Sequence, residues 1–280
     1  MAVIIGNSGA WAGVLKKLKR LDLYAQAPDE IPGLLERLRK EFEPAISSKR
    51  SETENRVTEI RTKISDLRLE RGFVKVVLGW IKMVGQYFAI FKVRREQQLF
   101  VSRLSYQLYG IEQLSASPEL IGASAELAVI DELKRLPADH VVINDVQLKS
   151  RRYIRFDGKP LQSAQIDHLI LSPAGVFVVE TKCWSKGFAA HGNYHNPFDQ
   201  VRRASYLCHV VMKDSFGSIK VRSIIACVGH LMANNKEKDY VKILRINELN
   251  GYIAWFKKEE ISPDRLSRLS QFFSEGCKSR

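Results

Sequence analysis

The chain has 280 residues, of which 45% are hydrophobic, enough to bury a substantial core and to exclude a wholly disordered protein. Its formal net charge of +13 favours an anionic partner, with nucleic acid ahead of an acidic membrane surface. Four scattered cysteines without paired spacing argue against a zinc ribbon and lead us to expect free thiols and a cytoplasmic setting.

The first residues, "MAVIIGNSGAWAGVLKK", have no basic residue ahead of their short apolar run, so no signal peptide is expected. The "GNSGAWAG" stretch lacks the Lys-Ser/Thr of a phosphate-binding loop and is read as a flexible entry to a helix. From Trp11 to Gln113 the pattern is helical almost throughout. Val57, Ile60, Ile64 and Leu67 recur at coiled-coil spacing, and the break at Gly72 suits a helical hairpin as well as one continuous helix. Residues 1–115 are therefore expected to form a helical, coiled-coil-like arm that serves a second copy or a protein partner.

Val74 to Phe91 is nearly long enough to span a bilayer, but Lys75, Gly79, Lys82 and Gln86 form a polar stripe along it. An amphipathic helix packed against a neighbour is the leading reading. Contact with a membrane surface or a partner comes second, and a true span last.

After Ser115 short strands begin to alternate with helices, so residues 116–280 are expected to form an α/β domain. "GASAELAVIDELKRL" reads as a helix and "HVVINDVQL" as a strand, followed by an irregular basic insert, "KSRRYIRFDGKPLQSA". The apolar runs "IDHLIL" and "VFVVETK" flank the turn formers "SPAG" and should pair as an antiparallel hairpin. A helix around Pro197 to Met212, strands "RSIIACVG" and "YVKILRI", and a final helix capped by Ser262 complete the order.

If Ser172 faces Gly175, constant index sums bring Asp167 opposite Glu180, and Lys182 shares their face. Two adjacent carboxylates repel unless a cation lies between them, and a hard divalent ion with oxygen ligands fills that role. The competing reading is that all three are charged strand ends that reach solvent. His168 points to the opposite face and is read as a structural histidine, and Trp184 as packing.

"SAELAVIDEL", "VVINDVQL", "QIDHLILSPAGVFVVETKCW" and "NPFDQVRRASYL", in this order, resemble the NERD, or nuclease-related, domain of the PD-(D/E)xK nuclease superfamily. The resemblance covers roughly residues 117 to 230. It implies a restriction-endonuclease-like core, a mixed sheet flanked by helices, and a metal-dependent nuclease or phosphodiesterase using Mg2+, with Mn2+ as a substitute. DNA is the implied substrate, and nucleic-acid processing or defence against foreign DNA the implied setting. Carried over by position, Asp167, Glu180 and Glu126 become metal ligands, Lys182 the catalytic lysine and Gln200 the polar residue of the following helix. Ile166 stands where the superfamily often has Pro, a position that is not a ligand. In the insert, Lys149, Arg151, Arg152, Arg155 and Lys159, interleaved with Tyr153 and Phe156, suit contacts to a phosphate backbone, and a solvated loop suits them equally. The alternative to an enzyme is a catalytically inactive scaffold with a nuclease-like fold that binds nucleic acid, or a membrane surface or protein partner.

Overall fold

The computed structural model describes residues 1–68, 73–184, 196–230, 237–238 and 240–276. Gly72, Cys277 and the side chain of Lys75, each used in the sequence reading, lie outside what is described. The chain divides into two compact units: Met1–Leu15 with Pro118–Arg280, and Lys16–Ser117.

The first unit is built on a seven-stranded sheet in the order β1-β2-β3-β4-β5-β7-β6. Its strands are β1 (Val3–Ile5), β2 (Val141–Phe156), β3 (Lys159–Ser172), β4 (Gly175–Trp184), β5 (Val221–Gly229), β6 (Glu237–Lys238) and β7 (Val241–Arg245). The sheet is mixed: β2, β3 and β4 are antiparallel, whereas β4, β5 and β7 run parallel. Alternation splits its side chains between two cores. One face carries Leu169, Leu171, Val176 and Val178 against α5 (Pro197–Phe216) and α7 (Pro263–Gly276). The other carries Val142, Ile170, Phe177 and Val179 against α4 (Pro118–Leu133) and α6 (Ile246–Trp255). This α/β sandwich with helices on both faces is the expected class. Proline opens α4 and α5, where its fixed φ suits a first helical turn, and Asn196 caps α5 by accepting from the Phe198 N–H at 3.1 Å.

Ahead of the "GNSGAWAG" stretch, inside which α1 begins at Gly9, the residues Val3–Ile5 form β1, an unexpected strand that pairs in parallel with Val141–Ile143. Three apolar residues were too short a run to register as a strand. The insert read as irregular is a strand ribbon with one irregularity: β2 and β3 continue, through a register shift between Lys149 and Ile154, to the pair Phe156↔Lys159. Asp157 and Gly158 turn it with φ of 47° and 75°, the left-handed pair that a two-residue hairpin demands. Phe156 folds back to stack on Tyr206 at 5.3 Å, and Arg202 binds Asp157 at 3.3 Å, which ties the turn to α5. The helix α6 was not expected, because "INELNGYIAW" follows a strand with only Glu248 to signal its start, by accepting from the Arg245 N–H.

The second unit contains α2 (Glu30–Arg68) and α3 (Phe73–Ser115), two helices rather than one. They run antiparallel: Arg39 binds Glu112 near one end, while Gly79 lies beside the carbonyl of Leu67 near the other. Val57 and Ile64 are buried in the seam, as the heptad spacing predicts. No described helix is long and apolar enough to cross a membrane. α3, however, packs the other way round from expectation. Gly79 is buried and Gln86 half-buried toward α2, and Trp80, Ile81 and Val84 between them face outward.

Phe177 is fully buried at the centre of the α4/α6 face, against the Phe256 ring at 5.6 Å. Phe177→Ala should lower stability of the sheet unit by about 3–5 kcal/mol, measured as a shift in denaturant midpoint.

Candidate active site

The hairpin between β3 and β4 closes in the register expected, from Ser172↔Gly175 to His168↔Val179. Beyond His168 the two strands part. β3 stays with β2 as far as Lys149↔Ser163 and resumes at Ile154↔Leu161, while β4 stays with β5 as far as Trp184↔Gly229. Asp167 sits in the crotch of this fork. Its Oδ2 accepts the Thr181 N–H at 2.8 Å, so a carboxylate takes a backbone donor of β4 where the β3–β4 ladder ends.

The same point is marked on β2. The β2–β3 ladder skips Asp145 and Asp167, and Asp145 adopts φ of 53°. Val141 and Ile143 before it, and Val146 and Leu148 after it, all join one core, so the alternation slips by one residue there. The Asp145 carboxylate turns to Gln165 Nε2 at 2.7 Å and Gln147 Nε2 at 3.2 Å. It also packs closely on Gly9, where an added Cβ would meet it at 2.7 Å and require the carboxylate to shift.

Glu180 is buried at 3% exposure, and its Oε1 accepts from Lys182 Nζ at 2.6 Å. The same ammonium donates to Gln200 Oε1 on α5 at 3.2 Å. Asp167, Glu180, Lys182 and Gln200 are thus brought together. Glu126, on α4, is near enough to act electrostatically on both acids, but its Oε2 is engaged elsewhere. It accepts from Ser8 Oγ at 2.7 Å and from the Ala10 N–H at 3.2 Å, at the start of α1 (Gly9–Arg20). That helix end carries unpaired N–H groups, which attract a carboxylate.

Burial raises the Asp167 pKa well above the usual carboxylate range, and the charges of Glu180 and Glu126 raise it further. Burial raises Glu180 as well, opposed by Lys182. Three acids facing one ammonium leave the fork short of positive charge. Among the described residues no three His, Cys, Asp or Glu side chains converge as a ready-made metal cage. The chemistry of the acids is nonetheless that of a hard-cation donor set: each offers carboxylate oxygens, and magnesium commonly takes one or two carboxylates with water.

Behind the fork lies a buried polar chain. His168 Nδ1 meets Asn144 Oδ1 at 2.7 Å and its Nε2 meets Thr181 Oγ1 at 3.0 Å. Desolvation lowers the His168 pKa to about 3, so the ring is neutral and cannot serve as a cation. His168 is therefore the structural histidine that alternation predicts, and Trp184 is buried in the α5-side core. Sequence reasoning missed Ser8, Asn144 and Thr181. Thr181 stood inside "ETK" with its backbone role hidden, and Ser8 lies 118 residues from Glu126, a distance no local pattern spans.

Lys149, Arg151, Arg152, Arg155 and Lys159 are exposed along the β2–β3 ribbon and not in the fork. A cavity of about 420 Å³ lies between the β3 side of the ribbon and the start of α5, lined by Lys159, Gln165, Asn196, Asp199, Gln200 and Arg203 among others. It joins the basic ribbon to Gln200, the residue that holds Lys182.

Comparison with known families matches residues 121–228 to the model of the NERD family, described as a nuclease-related domain. No curated protein matches the chain. The matched segment runs from α4 through β5 and contains Glu126, Asp167, Glu180, Lys182 and Gln200. The family match is thus to the NERD, nuclease-related, domain over residues 121–228, within a chain of 280 residues.

Proposed function

We propose that this chain is a magnesium-dependent phosphodiesterase that cleaves nucleic acid, DNA first, at the fork between β3 and β4. The observation that carries the reading is the meeting of two proton-hungry carboxylates, Asp167 and Glu180, with the Lys182 ammonium at one strand junction. Asp167 and Glu180 would hold the ion, with Glu126 adding charge from the start of α1. Magnesium or manganese would there neutralise charge on a scissile phosphate and lower the pKa of a water.

The chain's own residues account for the remaining work. The Thr181 N–H holds Asp167 in one orientation, and the neutral His168 fixes Thr181 through its hydroxyl. Gln200 and Glu180 aim Lys182 Nζ, which offers positive charge and a proton relay beside the reacting phosphate. The ribbon and the cavity beside it supply contacts to the sugar-phosphate backbone, which position the substrate without reading its bases.

Circular and linear DNA and RNA, incubated with magnesium or manganese beside an Asp167→Asn control, test the reading directly. Asp167→Asn should reduce cleavage to background, and equal rates in variant and parent would remove the site. The same variant has a second readout. Because the native pKa of Asp167 is raised, the folded state keeps a proton that the unfolded chain releases near pH 3.9. Metal-free stability should then fall as pH rises from the unfolded carboxylate value through the raised native one. Asp167→Asn should raise the metal-free Tm at neutral pH and reduce that slope, whereas added magnesium should raise the parent's Tm with release of protons.

Lys182→Ala should slow turnover by about 10²–10⁴-fold with nucleic-acid affinity kept, as read in single-turnover kinetics beside a binding isotherm. Replacing Arg151, Arg152 and Arg155 together by Ala should reduce the slope of log affinity against log salt by about 2 to 3. An unchanged slope would take the ribbon out of the substrate path.

A further inference from the structure

The α2–α3 hairpin exposes an apolar face that its own packing leaves uncovered. α2 takes up one side of α3: Gly79 is buried there, and Met83, Gln86, Ile90, Val93 and Gln97 are half-buried. At 3.6 residues per turn, Val77, Trp80, Ile81, Val84, Phe88 and Phe91 fall within about a third of the circumference on the opposite side. Each of them is between 48% and 70% exposed. They form one stripe about 20 Å long, a patch of a kind that water-facing surfaces seldom carry without a purpose.

Charge decides between the occupants. From Phe73 to Arg95 the chain has five basic residues, Lys75, Lys82, Lys92, Arg94 and Arg95, and no acid. The described ones among these are exposed; Lys92 borders the stripe and Arg95 falls in line with it, while Lys82 lies nearer the side that faces α2. A second copy docked through this stripe would set those cations against their own counterparts. An anionic lipid surface would instead accept both features at once. Trp80, Phe88 and Phe91 suit the headgroup boundary, and a basic side chain at the border of a stripe, as Lys92 is, can bury its stem and keep its charge among lipid phosphates. The stripe lies along the helix rather than around it, and no described helix can cross a bilayer. We infer that residues 77–91 form an interfacial anchor that lies in the plane of an anionic membrane leaflet.

The test uses the full chain in flotation with vesicles of phosphatidylcholine alone and of phosphatidylcholine mixed with phosphatidylglycerol. The parent should float with the mixed vesicles and lose this binding as salt is raised. A Trp80→Ser/Phe88→Ser double variant, altered only at exposed positions, should bind about tenfold less or weaker still. Its nucleic-acid cleavage and helical circular dichroism should match the parent's. Absence of flotation, equal flotation on the two vesicle types, or equal binding of parent and variant overturns the anchor. So does light scattering that shows the parent as a dimer and the variant as a monomer, which would assign the stripe to a second copy. Competition by single-stranded DNA with no vesicle binding would assign it to stacking on bases and overturn the anchor equally.

Discussion

One hydrogen bond organises this molecule's chemistry: the Asp167 carboxylate accepts the backbone N–H of Thr181. A strand that leaves its neighbour must expose donors and acceptors, and an unpaired buried group is costly. Here the departing strand leaves a side chain behind to satisfy the donor. The β3–β4 separation can therefore occur inside a well-packed sheet, and it occurs where Glu180 and Lys182 are also presented. Without that bond, either the ladder would continue and close the fork, or β4 would carry an orphaned amide beside the acids.

The surroundings of the fork hold its acids in place from three directions. Glu126 is tethered by the first turn of α1, Lys182 is shared between Glu180 and α5, and the His168 chain locks Thr181 from the opposite face of the sheet. The left-handed Asp145 keeps one more carboxylate out of the cluster by turning it toward two glutamines. A regular strand would have aimed that acid at Asp167 and added a like charge where repulsion already acts. A backbone conformation that disfavours ordinary side chains is tolerable there because aspartate is among the residues that accept it.

Much of this was legible in the residues because it is local. The "SPAG" turn set the β3–β4 register from Ser172↔Gly175 to His168↔Val179, but the expected Asp167–Glu180 pair is not part of the ladder, because the strands part there and Asp167 binds the Thr181 N–H instead. Alternation placed His168 on the far side. What stayed hidden depends on contacts between distant segments or on departures from alternation. β1 is only three residues long and pairs with a strand more than a hundred residues away, and the attachment of Glu126 to Ser8 spans the same gap. The ribbon turn at Asp157-Gly158 was present in the sequence as a hairpin signal, but the arginines around it drew attention to charge instead. On α3 the apolar count was plain. Which side faced α2 was not, because glycine and glutamine made the closer helix–helix contact.

The division of the chain carries a lesson about its modularity. The sheet unit draws on both Met1–Leu15 and Pro118–Arg280, with Lys16–Ser117 intervening in sequence. Excising the family-matched portion alone would discard an edge strand, the tether of Glu126 and the two C-terminal helices that cover the cores. In sequence the helical hairpin thus falls between the two segments of the sheet unit. A minimal version of that unit would have to be spliced across the gap, not trimmed from one end.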